Sequence, residues 1–253
     1  MARGPYSATD FLKESRAPFT AYPFTLSCWL FGPDNLGTKV MMACCNDTND
    51  TDRVYFYLQG TRRLTGWFGA SGESSGLIVS NGVWHHCALR AVSSTSRTYY
   101  VDNTSSFKST SRTFSGLNSW TVGNSGGLNP FAEHSGYIAH TAIWDIDIGV
   151  NAIASLSNGA SPLMFPEGLK AYCPLSGASG SDEINFAGGN LVDQGTTPSY
   201  SGRDPLQIMP GVPVVGYAGG PAPASGWAMG SLAGNGGLAG ACGLAGIGGG
   251  LAG

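Results

Sequence analysis

The sequence predicts an all-β fold, because its regular segments repeat every two residues, as half-buried strands do. Short alternating runs recur along residues 24–175 and are bounded by Gly, Asn, Ser and Asp, as in a sandwich or barrel. Helical periodicity is confined to 150–156, which stops at Asn158 and Gly159. The 6 Trp, 10 Tyr and 11 Phe supply a packed core. These observations favour one β-rich body of about 200 residues.

Ten segments fit the strand pattern. In chain order the predicted strands are 24–31, 39–45, 53–58, 64–69, 77–80, 84–92, 97–102, 119–123, 136–144 and 169–175. In the strand 84–92, alternation places Cys87 and Leu89 on the core face. His85 and His86 then point to opposite faces of this strand, so we do not expect them to bind one metal ion together.

The segment 136–144 is apolar on both faces, which predicts a central strand that is covered on both sides. Strict alternation places Ile138 and Trp144 on one face and Ile143 on the other.

Charge excludes some partners. The chain has 13 Lys+Arg against 16 Asp+Glu, a net charge of -3, and its basic residues are scattered, so we expect no nucleic-acid binding. All charged residues lie at or before Asp204. This break predicts a body at 1–204 and an extended, uncharged Pro/Gly/Ala-rich arm at 205–253.

The arm contains a hexapeptide repeat, LAGxxG, that begins at Leu232, Leu238 and Leu244. It is too rich in glycine for membrane insertion and has too few large side chains to form its own core. We therefore expect it to dock on a partner through its larger apolar residues. These are Val214, Val215, Tyr217, Trp227, Leu232, Leu238, Leu244 and Leu251.

Two features of the sequence favour a cytoplasmic site of synthesis: the positions of the cysteines and the composition of residues 1–16. Cys28, Cys87 and Cys173 lie in apolar strand segments, which favours free buried thiols over disulfides. Residues 1–16 lack the apolar run of a secretory signal, so we expect the chain to be made in a cytoplasm.

The segments resemble, in order, the concanavalin A-like or laminin-G-like jelly rolls, and especially versions in bacteriophage proteins. The resemblance covers about 5–200 and rests on 23–29, 83–88, 99–103, 120–123, 136–144, a helix within 148–159, and 169–175. Asn103 and Cys173 depart from the usual Gly and Trp of the pattern. The resemblance implies an antiparallel jelly-roll β-sandwich with one short helix, followed here by the arm.

Glucanases of this superfamily carry paired carboxylates on a strand that reads Glu-x-Asp-x-x-Glu. The nearest segment here, 144–149, reads WDIDIG and has no glutamate. We therefore expect no enzymatic activity, and we assign Asp145 and Asp147 to turn and helix-capping roles.

Two kinds of ligand are consistent with the resemblance. Lectin-like relatives often hold Ca²⁺ in acidic loops, and the loop 46–52 offers Asp47, Asn49, Asp50 and Asp52. The alternative is a solvated turn, since the loop lacks the EF-hand glycine and glutamate. Trp67 and Trp120 are candidate sugar platforms, or else core residues.

Two functions fit these observations. The first is a bacteriophage virion structural protein, such as a capsid decoration, head fibre or tail accessory, whose arm binds other virion proteins or copies of itself. The second is an adhesin that binds host-surface glycans. A carbohydrate enzyme is disfavoured because the carboxylate pair is missing.

Overall fold

The protein is a two-sheet β-sandwich. The computed structural model describes residues 2–7, 10–32, 37–49, 51–126, 134–176, 180–195 and 199–200, the last two by their backbone. The strands are β1 (Ala2–Arg3), β2 (Leu12–Glu14), β3 (Phe24–Phe31), β4 (Lys39–Cys45), β5 (Arg53–Gln59), β6 (Arg63–Phe68), β7 (Ser71–Ile78), β8 (Trp84–Ser93), β9 (Ser96–Val101), β10 (Thr104–Lys108), β11 (Ser119–Val122), β12 (Tyr137–Trp144), β13 (Leu169–Cys173), β14 (Val192–Asp193) and β15 (Ser199–Tyr200). The helices are α1 (Gly149–Ser157) and a 3-10 turn at Pro162–Met164. The predicted arm at 205–253 lies outside the described residues.

Each sheet joins strands that are distant in sequence. The first sheet has the order β10-β9-β8-β3-β12-β1-β15, with β13 also paired to β12. The second sheet has the order β14-β2-β11-β4-β5-β6-β7. Every pairing between the described strands is antiparallel. The predicted antiparallel jelly-roll sandwich is therefore confirmed.

The core lies between the sheets and follows from alternation. In β3, Phe24, Leu26 and Leu30 point inward, and in β5 Val54 and Phe56 do the same from the other sheet. All five are essentially inaccessible to solvent, and burying each side chain contributes about 1.5–3 kcal/mol. The opposite positions of β5 consequently face away from this core.

Helix α1 covers the outer side of the first sheet. Its Ile153 packs with Ala88 and Tyr100, and its Leu156 packs with Trp144. An Asp147 carboxylate oxygen accepts the Gly149 amide hydrogen at 2.9 Å, two residues on, which is the turn role predicted for this aspartate. The N-cap residue of α1 is Ile148, so the predicted capping role was wrong. No helix among the described residues has the length and apolar character needed to cross a membrane.

Strand β12 differs from its predicted alternation. Ile138 and Ile143 both face the inter-sheet core, whereas Trp144 packs under α1. The pairing with β3 shifts between Ala139 and Ala142, and His140 adopts a φ of 50°. This bulge adds one residue and reverses the side-chain phase, so the prediction that Ile138 shares a face with Trp144 was wrong. The prediction of a central strand covered on both sides is confirmed.

The burial predicted for the cysteines is confirmed in the described part of the chain. Cys28, Cys44, Cys45, Cys87 and Cys173 are all buried free thiols. Burial raises the pKa of each of Cys28, Cys44, Cys87 and Cys173, which keeps these thiols protonated and unreactive.

Candidate functional site

The outer face of the second sheet carries an aromatic cluster. Because Val54, Phe56 and Leu58 of β5 face the core, Tyr55 and Tyr57 face outward. Strand β6 pairs Trp67 directly opposite Tyr55. The three rings therefore lie together on one surface, and this arrangement is set by strand register.

The Trp67 ring is held in place from two sides. Its Nε1 donates to the Gly69 carbonyl oxygen at 2.7 Å. Its six-membered ring lies against Gly72 of β7, where an added Cβ would come within 2.9 Å of Trp67 Cε3 and 3.3 Å of the Tyr57 hydroxyl. Any larger residue at position 72 would therefore displace the indole.

Arg53 stands beside these rings. Its guanidinium carbon lies 5.2 Å from the Trp67 ring centroid and 5.3 Å from that of Tyr55, within the range of a cation–π interaction. Arg53 Nε donates to the Gly69 carbonyl at 3.3 Å, and Nη1 donates to the Tyr55 hydroxyl at 3.4 Å. Gly69 thus fixes both the arginine and the tryptophan.

These side chains enclose a cavity of about 180 Å³, which we call the outer-face pocket. It is lined by Thr38, Arg53, Tyr55, Tyr57, Gln59 and Trp67. Tyr55 and Tyr57 are only 4% and 5% exposed and form the floor, whereas Trp67 is half-buried and Gln59 is exposed. Burial raises the pKa of Tyr57 to about 12, so its phenol stays neutral at physiological pH and remains a hydrogen-bond donor.

The structure separates the two predicted tryptophan platforms. Trp67 lines the outer-face pocket, and its role as a sugar contact stays a prediction. Trp120 is fully buried between the sheets, and its Nε1 donates to a Glu14 carboxylate oxygen at 2.8 Å. Of the two roles left open for Trp120, the structure therefore shows the core role, since a ligand has no access to this ring.

The loop between β4 and β5 forms a hydrogen-bonded turn. The Asn49 side-chain carbonyl accepts the Thr51 amide hydrogen at 3.0 Å, as in an Asx turn, and also the Asp52 amide hydrogen at 2.9 Å. An Asp47 carboxylate oxygen lies 2.9 Å from Lys13 Nζ. Asp52 accepts hydrogen bonds from the side chains of Asn49 and Ser115.

The described residues of this loop do not form a cluster of calcium ligands. In the part of the chain that the structure describes, no three His, Cys, Asp or Glu side chains are grouped as metal ligands. Asp50 lies outside the described residues. The calcium site stays a prediction, and the observed contacts match the alternative of a solvated turn.

Comparison with protein families agrees with this architecture. A family profile described as the concanavalin A-like lectin/glucanases superfamily matches residues 7–154. The chain belongs to this superfamily. The matched span includes every residue that lines the outer-face pocket. The likeness to bacteriophage versions stays a prediction.

Solved structures share this fold at low sequence identity. A Bacteroides ovatus protein with a proposed role in carbohydrate binding is 15% identical over 78% of this chain and 58% of its own, with a TM-score of 0.56. A heptameric SAP-like pentraxin from Limulus polyphemus is 12% identical over 64% of this chain and 82% of its own, with a TM-score of 0.53. At these identities the likeness concerns the fold alone. No curated protein sequence matches the chain.

Several carboxylates of the protein form ion pairs or hydrogen bonds with other side chains. Buried Glu73 pairs with Arg97 at 2.9 Å, and buried Glu183 pairs with Arg3 at 3.2 Å. Glu14 accepts hydrogen bonds from Trp120 and from Arg16. The aspartates of the WDIDIG segment are also paired, Asp145 with Lys170 and Asp147 with Arg90. Each of these groups has a structural partner.

A second, more open cavity of about 380 Å³ lies along 16–23. Its far side is formed by Asp145 and Lys170, which neutralise each other at 3.0 Å. The outer-face pocket is the better candidate site because its aromatic and hydrogen-bonding groups converge on one space.

Proposed function

We propose that this protein is a non-enzymatic carbohydrate-binding module whose ligand binds in the outer-face pocket. The observation that carries the proposal is a half-exposed tryptophan held over a tyrosine floor, with Arg53, Gln59 and Thr38 at its rim. An aromatic face packs on the apolar face of a sugar ring, and the polar rim pairs with its hydroxyls.

The rigidity of the site favours binding. Trp67 and Tyr57 lie on the adjacent strands β6 and β5, which have paired strands on both sides in the second sheet, and main-chain hydrogen bonds fix their separation. Ligand binding therefore orders few side chains, which limits its entropic cost. The volume of about 180 Å³ is below the range of roughly 300–1,000 Å³ for pockets that hold drug-sized ligands. A single terminal sugar residue matches this space better than a long chain.

The absence of enzymatic activity is part of the proposal. Glycosidases need two carboxyl groups on opposite sides of a bound sugar. Among the described residues that line the outer-face pocket there is no carboxylate. Glu73, on the neighbouring strand β7, is buried on the core side and pairs with Arg97.

Replacing Trp67 with alanine should weaken glycan binding at least about tenfold, which corresponds to 1.4 kcal/mol of lost contact energy. A glycan array first identifies a ligand for the wild-type protein, and titration calorimetry then gives the affinity of each variant. Trp84→Ala is the matched control, because Trp84 is also half-buried but packs at Phe31 on the other sheet. Equal affinities for Trp67→Ala and the wild type would contradict the proposed site.

The sequence favours a second, compatible role as a virion structural protein. The uncharged arm at 205–253, with its LAGxxG repeats, suits docking to virion proteins or to copies of the same chain. In this proposal the sandwich is the exposed, lectin-like part of a bacteriophage particle, and the arm attaches it.

The mass in solution tests the arm. We expect light scattering to find a defined oligomer for the full chain and a folded monomer for a variant that ends at Asp204. Circular dichroism of the shortened variant checks that the sandwich is intact. Two identical monomers would contradict self-assembly through the arm, and binding of the arm to purified particles would then have to carry the virion proposal.

A further inference from the structure

We infer that the outer-face pocket selects sugars that carry an anionic group, a carboxylate or a sulfate, and that Arg53 is the residue that binds this group. The inference rests on the proposed carbohydrate-binding function. It adds the charge class of the ligand and the residue that determines it.

The charge of the pocket favours an anionic ligand. Arg53 is the one charged side chain among the described residues that line it. The neighbouring Asp52 directs its carboxylate to Asn49 and Ser115, at 3.0 and 3.1 Å. Arg53 takes part in none of the ion pairs of the described residues. The described lining of the pocket therefore carries a positive charge, in a protein whose net charge is -3.

Other arginines of the protein show the contrast. Arg3 pairs with Glu183 and Asp193, Arg97 pairs with Glu73, and Arg90 pairs with Asp147. At each of these positions the fold supplies the anion. At Arg53 it supplies two aromatic rings and a carbonyl instead.

Arg53 has hydrogen-bond donors that the described residues do not use. A guanidinium carries five N–H groups in a fixed plane. Arg53 uses Nε for Gly69 and one N–H of Nη1 for Tyr55, whereas Nη2 makes no hydrogen bond to a described residue. Three N–H groups on the Nη1–Nη2 side remain for a ligand. Two of them match the oxygen spacing of a carboxylate or a sulfate.

The orientation of the Arg53 guanidinium is fixed before a ligand binds. The rings of Tyr55 and Trp67 and the Gly69 carbonyl hold the guanidinium without neutralising it. A held guanidinium loses little freedom when it binds a planar anion. An anion on the sugar ring would meet Arg53 while the ring itself packs on Trp67.

The test compares matched ligands on the full-length protein. Uronic-acid oligosaccharides, their carboxyl-reduced neutral counterparts and sulfated counterparts of the same neutral sugars are titrated by calorimetry at low salt. We expect the anionic ligands to bind at least tenfold more tightly than the neutral ones, and Arg53→Gln to remove this preference. The carboxylated and sulfated series distinguish the two sources of the anion, and a preference in either series supports the inference.

Two further variants separate charge from structure. Lys108→Gln removes a positive charge from β10 of the first sheet, on the other side of the sandwich, and should leave the preference intact. Arg53→Lys keeps the charge but loses the bidentate geometry, so we expect an intermediate preference. Thermal melts confirm that each variant is folded.

Several outcomes would overturn the inference. One is equal binding of neutral and anionic ligands by the wild type. Another is tighter neutral-sugar binding by Arg53→Gln, which would mean that Arg53 merely covers the aromatic surface. Both outcomes leave the carbohydrate-binding function in place, because Trp67→Ala would still weaken binding. If no ligand of any series binds, the proposed function and this inference fail together.

Discussion

Replacing Glu73 with alanine should lower the free energy of unfolding by about 3–5 kcal/mol, the usual effect of removing one partner from a buried ion pair. Glu73 is 7% exposed and Arg97 is inaccessible to solvent. Arg97 Nε and Nη2 donate to the two Glu73 carboxylate oxygens at 3.0 and 2.9 Å. Alanine at position 73 would leave this guanidinium buried without its anion.

The position of the pair makes the effect large. Glu73 lies on β7 of the second sheet and Arg97 lies on β9 of the first, so the pair joins the two sheets along one side of the sandwich. The Tyr99 hydroxyl donates to the same carboxylate at 3.3 Å, and Arg112 approaches it at 4.0 Å. The Arg97 guanidinium also lies 5.2 Å from the Phe68 ring centroid. One carboxylate thus organises several groups.

Urea denaturation at neutral pH measures this prediction. The exposed pair Lys170–Asp145, at 3.0 Å, is the matched control, and Lys170→Gln should change stability by no more than about 1 kcal/mol. The double variant Glu73→Leu/Arg97→Met should recover most of the loss, since it buries no unpaired charge. A loss below about 1 kcal/mol for Glu73→Ala would refute the structural role of the pair.

The strands with apolar alternation were predictable in detail. The bounds of β3 and β4 match the prediction to the residue, and those of β5 differ by one residue. In contrast, β7 begins at Ser71, well before the predicted start at position 77, and β10 was missed. Both contain many serines and few large apolar residues, because much of each strand is exposed. Such strands form through main-chain pairing with neighbours that a local pattern does not reveal.

The alternation of β5 also predicts the aromatic site, although only tryptophans were considered as sugar platforms. In β5 the inward positions are Val54, Phe56 and Leu58, so the tyrosines between them had to face outward together with Arg53 and Gln59. Aromatic residues at the outward-facing positions of a strand, where polar residues are usual, indicate a binding surface. The same test places Trp120 inside, since it alternates with Ser119 and Thr121. In contrast, nothing in the alternation of residues 136–144 predicts the bulge at His140.

Acidification from pH 7 to pH 5 should lower the free energy of unfolding by about 4 kcal/mol, about 2 kcal/mol for each of two buried histidines. Burial lowers the pKa of His86 to about 4, although Asp102 opposes this shift. Burial, with the added repulsion of Lys39, lowers the pKa of His134 to about 3. Both histidines are therefore neutral in the folded protein throughout this pH range.

The sign follows from the unfolded chain, in which both histidines titrate near 6.5. Below that pH the unfolded state binds protons that the folded state excludes, so stability is lost as the pH falls from 6.5 toward 4 for His86 and toward 3 for His134. The packing explains the exclusion. His86 Nε2 lies 2.8 Å from the Ser27 hydroxyl, but its Nδ1 has no hydrogen-bond partner among the described residues. Neither ring nitrogen of His134 has one.

Urea titrations at pH 7, 6 and 5 with His134→Leu separate the two contributions. At pH 7 we expect this variant to be about as stable as the wild type or more stable, because leucine replaces two buried nitrogens that have no hydrogen-bond partner in the described part of the chain. Between pH 7 and pH 5 it should lose only about half as much stability as the wild type, with His86 responsible for the rest. The chosen range stays above the ordinary pKa values of Asp and Glu, so carboxylate protonation contributes little. An unchanged pH dependence in His134→Leu would show that His134 takes up its proton without unfolding and that its burial does not control acid stability.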